Sequence, residues 1–136
     1  MSATRAQRLE RLLKVQEKRR AMEEWRLAEL RRQDAALERE AHDILASLGE
    51  QSLLNGLFLE AKSSALKRKE AERVRLLAQE ETVRARLLDA AATEKRLERL
   101  SGEARLAEDA AAEAARLSDT LDTYLSAARR AGASLE

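Results

Sequence analysis

The stretch Gly49-Glu-Gln-Ser-Leu-Leu-Asn-Gly56 decides how this chain is read. It holds two of the four glycines of a 136-residue chain that has no proline. On both sides the sequence is long, charged and periodic at helical spacing. A break of this kind between two such segments predicts a helical hairpin with residues 49–56 as its turn. A rival lies in the same stretch: Asn55-Gly56 between apolar neighbours is a β-hairpin signal. The flanking apolar runs are short, no other strand is available, and an isolated two-stranded hairpin is marginal in water. The helical periodicity on both sides favours helix–turn–helix.

Working back toward the start, Thr4 followed by Gln7 has the spacing of a capping box and sets the first helix at 5–48. Its apolar positions are irregular at first, through Leu9, Leu12, Leu13, Val15, Met22 and Trp25. They then settle into 3-4 spacing through Leu27, Leu30, Asp34, Leu37, Ala41, Ile44 and Leu48. The change of phase near Trp25 predicts a stutter. Gly49 stands where a left-handed C-cap ends a helix.

Working forward, the second helix is expected over 57–131, with Ser52 as an earlier candidate N-cap. Its seam runs through Leu66, Lys69, Arg73, Leu76, Glu80, Val83, Leu87, Ala90, Glu94 and Leu97. A phase slip is expected there, followed by Leu100, Ala104, Ala107, Ala111, Ala114, Ser118, Leu121, Leu125 and Ala128. Arg129 and Arg130 suit a C-terminal dipole, and Gly132 suits a cap. Counting outward from the turn, the first arm runs out opposite 98–102, where Ser101-Gly102 interrupts the second. The fold class expected is therefore all-α, a long antiparallel two-helix coiled-coil hairpin with a longer C-terminal helix. The alternative is a third helix folded back after Ser101-Gly102. One glycine costs a helix only about 1 kcal/mol relative to alanine, which favours the continuous overhang.

Composition agrees with this frame. Charged residues make up 38% and aromatics 2%, which leaves little to fill a thick core but enough for a helix–helix seam. Net charge is +1. Residues 1–48 carry eleven basic against nine acidic side chains, and 57–100 carry eleven against eight; 101–136 reverses this with four against seven. The balance gives no support to nucleic-acid binding, and the basic run Lys67-Arg68-Lys69 with Arg73 and Arg75 is interleaved with Glu70 and Glu72. No cysteine is present, so no disulfide or thiolate metal site is expected. His42, the one histidine, reads as a solvated residue of an acidic helix rather than a metal ligand. No nucleophile–base pair or phosphate loop is found, so the chain is expected to be no enzyme and to take no cofactor. The opening residues lack a signal-peptide core and the apolar runs are short for a bilayer, so a soluble, cytoplasmic chain without membrane insertion is expected.

Two clusters are candidate partner-binding sites. Leu53, Leu54, Leu57, Phe58 and Leu59 gather more apolar surface than a turn can bury, and exposed apolar clusters mark partner sites. Leu121, Tyr124, Leu125 and Arg129 form the second, on the C-terminal arm.

Three segments carry a family resemblance. Arg8-Leu-Glu-Arg-Leu-Leu-Lys-Val-Gln-Glu-Lys-Arg-Arg20 resembles the opening of the FliJ/YscO-like type III export stalk proteins. Ala92-Thr-Glu-Lys-Arg-Leu-Glu-Arg-Leu100 resembles that family's Glu-Lys-x-Leu-Glu-x-Leu stretch. Leu121-Asp122 with Ala127, Ala128 and Arg129 is similar to its closing Leu-Asp-Glu-x-Ala-x-x-Arg pattern, with Thr123 in place of the acidic residue. The short first arm and alanine-rich tail depart from the pattern. The resemblance implies a component of the bacterial flagellar protein export apparatus: a coiled-coil stalk between the export ATPase hexamer and the membrane export gate, which also handles export chaperones. It implies a cytoplasmic place, peripheral at the inner face of the membrane. Two other classes stand beside it: a structural coiled-coil scaffold that self-associates as a homo-oligomer, and, more weakly, a basic nucleic-acid-binding helix.

Overall fold

The computed structural model describes residues 2–49 and 58–135, with side chains described to 133. Residues 50–57, which include all of the expected turn except Gly49, lie outside them, and with them Ser52, Leu53, Leu54 and Leu57. The described chain is all-helical: α1 spans Arg5–Leu48 and α2 spans Leu59–Leu135. The two helices pack against each other and form two compact units, Gln16–Thr93 and Met1–Val15 with Glu94–Glu136.

The start of α1 follows from its cap. The Thr4 N–H donates to Gln7 Oε1 at 3.0 Å, and the Gln7 N–H donates to Thr4 Oγ1 at 3.2 Å. Both orphan donors of the capping box are thereby satisfied. The other end differs from the expectation. The Gly49 N–H donates to the carbonyls of Leu45 and Ala46 at 3.3 and 3.2 Å, yet no described glycine has a positive φ. Gly49 therefore supplies no left-handed cap; its amide bonds close the last turn in ordinary helical geometry.

In the unit Gln16–Thr93 the helices run antiparallel. Arg73 Nε meets Asp34 Oδ1 at 2.9 Å, Arg31 Nε meets Glu80 Oε1 at 3.1 Å, and Lys69 meets Glu40. Buried positions include Leu27, Leu76, Val83 and Ala90, with Glu23 and Glu80 among them. On α1 covered positions recur at 16, 20, 23, 27, 30, 34, 37, 41, 44 and 48, with 29, 36 and 47 half-covered beside them. The recurring line keeps unbroken 3-4 spacing, so the expected stutter at Trp25 is absent. The apolar residues that suggested it, Met22 and Trp25, are exposed, and Glu23 takes the buried place between them. A straight run of heptads carries a polar residue into the seam when shifting phase would misplace every residue after it.

In the other unit, Ala6 is 1% exposed and its N–H donates to Glu108 Oε1 at 3.2 Å. Arg105 pairs with Glu10. The covered positions of α2 are 94, 97, 100, 101, 104 and 108, so Leu100 and Ala104 of the expected second run are covered and its later members are not. The expected slip after Leu97 therefore does not occur: Ser101 is buried, while Ala107 and 111–128 are exposed. Nor is there a break at Ser101-Gly102, because α2 is helical throughout and no third helix folds back. Pairing also extends past 98–102 to Glu108, where a glutamate side chain reaches an amide of the first turn of α1 that has no partner within the helix. Beyond Glu108, residues 109–133 are exposed throughout. Gly132 lies inside the helix, and Arg129 and Arg130 fall short of its last turn.

A Cβ built on Gly102 meets nothing within 4 Å. Gly102→Ala therefore gains helix propensity without a clash, about 1 kcal/mol. Thermal unfolding followed by circular dichroism should show a midpoint higher by about 4 °C. A lower midpoint would mean that residues 101–102 are not continuous helix.

Candidate interaction surfaces

A two-helix seam leaves most apolar side chains half-wet, and this one leaves several large ones more open than that. Trp25 is 64% exposed, although it stands on α1 beside half-buried Leu30 and opposite Val83. With Thr82 and Arg86 of α2 these residues line an open groove of about 360 Å³. Arg26, at its edge, donates to Glu23 Oε1 at 2.9 Å. The groove is shallow and mostly apolar; it suits a protruding side chain better than an enclosed small molecule.

At the turn end, Phe58 and Leu59 are each 55% exposed, and the Phe58 carbonyl accepts the Lys62 N–H at 2.9 Å. Phe58, just before α2, and Leu59, its first residue, thus both hold their side chains out in solvent. Their proposed companions Leu53, Leu54 and Leu57 lie outside the described residues. On the C-terminal arm, Leu121, Tyr124 and Leu125 are 58%, 70% and 45% exposed, and Arg129 is exposed as well. The four do not share one face: Leu121 and Tyr124 stand on one, and Leu125 and Arg129 about 100° around the helix on the next. Sequence reasoning missed Leu117, 63% exposed one turn before Leu121, because it placed Ser118 in the seam instead. A 3-4 count backward from Leu121 and Tyr124 would have found it.

Two of the five residues of the basic cluster are occupied, while Lys67, Arg68 and Arg75 are exposed. Lys69 and Arg73 are both paired across the seam to Glu40 and Asp34. The Arg73 guanidinium is held above its ordinary pKa, first by the hydrogen bond to Asp34, against some desolvation, and then by the charges of Asp34, Glu38 and Glu70. These side chains act in helix pairing. His42 shares a surface depression with Glu38, Arg39 and Asp43, all on one helix. Among the described residues no three His, Asp or Glu groups converge as a metal site. No described helix is long and apolar enough to cross a membrane.

A scan against protein-family models, a search of curated proteins and a search of solved structures each found no match.

Proposed function

We propose that this chain is a non-enzymatic stalk or adaptor of the flagellar type III export apparatus. In that role it links the export ATPase ring to the membrane export gate and handles export chaperones. It works in the cytoplasm, peripherally at the inner face of the membrane. The three segments that resemble the FliJ/YscO-like stalk proteins support this reading. The observation that carries it is the separation of α2 into two kinds of surface. Up to Glu108 the helix is committed to α1; from 109 to 133 it offers an unpaired face with Leu117, Leu121 and Tyr124 in solvent. A helix that is paired for part of its length and bare at its end is suited to joining two bodies. Coupling in such a device comes from differential contact with its partners, with no bond made or broken by this chain.

The test is recovery of partners by the full chain from a flagellated bacterium. Recovery of the export ATPase supports the adaptor, whether or not further copies of the chain come with it. Recovery of copies of the chain alone sinks the proposal and leaves the scaffold reading, which the exposure of Leu12, Val15, Met22 and Trp25 favours. The two ends are separable. Phe58→Ala, at an exposed side chain, should leave helicity unchanged and lower gate binding about tenfold, the cost of one half-exposed aromatic anchor. Unchanged binding would remove the turn end from the contact.

A further inference from the structure

We propose that residues 107–131 form an antiparallel two-helix seam with the same residues of a second copy of this chain. This does not rest on the export reading.

On α2, Ala107, Ala110, Ala114, Leu117, Leu121, Tyr124, Ala128 and Ala131 follow one another at strict 3-4 spacing, and all are exposed. This stripe is not the extension of the seam that α1 covers. Continuing that seam past Ala104 and Glu108 leads through Ala111, Ala115, Ser118, Asp122, Leu125 and Arg129, two of which are charged. The apolar stripe lies one residue, or about 100°, around the helix from it. It is a separate face, and Ala107 is already bare where Ala104 and Glu108 are covered.

The stripe is complementary to itself in one orientation. In an antiparallel pair, positions whose numbers add to 238 stand opposite each other. Leu117 then meets Leu121 at the centre, the large Tyr124 meets the small Ala114, and alanines close both ends at 110 with 128 and 107 with 131. Each large side chain has a large or small counterpart that fits it, as interdigitating packing requires. A parallel, in-register pair would set Tyr124 against Tyr124 and Ala114 against Ala114, alternating crowding with gaps. Asp119, at the midpoint, lies on the far side of the helix from the stripe and so sets no like charge against its copy.

The full chain should run as a dimer at micromolar concentration in sedimentation velocity and light scattering. Leu121→Glu should weaken the dimer at least about 100-fold, since each dimer loses two buried leucines. Its helicity should be unchanged because Leu121 is exposed in the single chain. Orientation is read with single cysteines. Thr120→Cys, beside the symmetry axis, should form a disulfide-linked dimer on mild oxidation. Ala110→Cys and Ala128→Cys should each stay single alone and crosslink when mixed. A chain that is monomeric at about 100 μM, a dimer that Leu121→Glu leaves intact, or self-crosslinking of Ala128→Cys alone each overturns the proposal.

Discussion

Val83→Asp should lower the unfolding midpoint of the chain by about 12 °C or more. Val83 is 6% exposed and sits three residues after Glu80, itself 7% exposed, on the same face of α2. The substitution removes an apolar side chain worth about 1.5 kcal/mol of burial. It also sets a short carboxylate, too short to reach water, where another carboxylate already lies one turn away. Together the cost is about 3–5 kcal/mol, and a chain of this size loses roughly 4 °C per kcal/mol. Leu88→Asp is the control, because Leu88 is 74% exposed on the same helix and should change the midpoint little. Equal effects at the two positions would show that the buried seam does not hold the fold.

The second large effect has the opposite sign. Glu23 is 6% exposed; its Oε1 accepts from Arg26, but its Oε2 has no hydrogen-bond partner. A buried polar oxygen left without a partner costs about 1–3 kcal/mol. Glu23→Leu removes that cost and adds apolar burial next to Leu27. Arg26, with a half-exposed side chain, returns to water at little expense. A gain of about 2–3 kcal/mol is expected, seen as a midpoint higher by about 10 °C. A loss of stability would mean that the carboxylate makes an interaction essential to the pairing. The expected gain has a functional meaning: the seam is held below the stability its length would allow. Glu23 and Glu80 lie in it, with Asp34 and Arg73 beside them only part-covered.

The buried carboxylates also explain where sequence reading and structure part. From Leu27 to Leu48 on α1, and from Leu66 to Leu97 on α2, the 3-4 pattern was legible and the covered positions match it. Those stretches include Asp34, Arg73 and Glu80, accepted as polar interruptions because apolar residues flank them in phase. The errors came where the polar share rose. Gln16, Arg20 and Glu23 occupy the seam in one unit, and Ser101 and Glu108 in the other. In both places apolar neighbours one position away (Met22 with Trp25, Leu100 with Ala107) offered a more hydrophobic path. Choosing that path required a stutter and a slip, and the helices have neither. A local gain of one or two half-buried side chains does not offset the loss of register in every later heptad.

The candidate contact sites divide in the same way. Phe58, Leu59, Leu121, Tyr124 and Leu125 were found in the sequence as apolar residues beside a turn or on a lone arm, and each is exposed. Leu117 was not found, nor was the groove beside Trp25, which needs Thr82 and Val83 of α2 next to Trp25 of α1.

By itself the sequence determined that this protein is two long helices. A chain without proline, rich in alanine, leucine, glutamate and arginine, with a capping box at its start, has no other economical way to satisfy its backbone. Only the tertiary structure decided which face of each helix is covered, and that pairing runs to Glu108 and then stops. The physical reason is that helix formation is a sum of local preferences. The seam is a property of two helices at once: in one unit it is fixed by the register that satisfies Arg31 with Glu80 and Arg73 with Asp34, and in the other by the first-turn amide of Ala6 meeting Glu108.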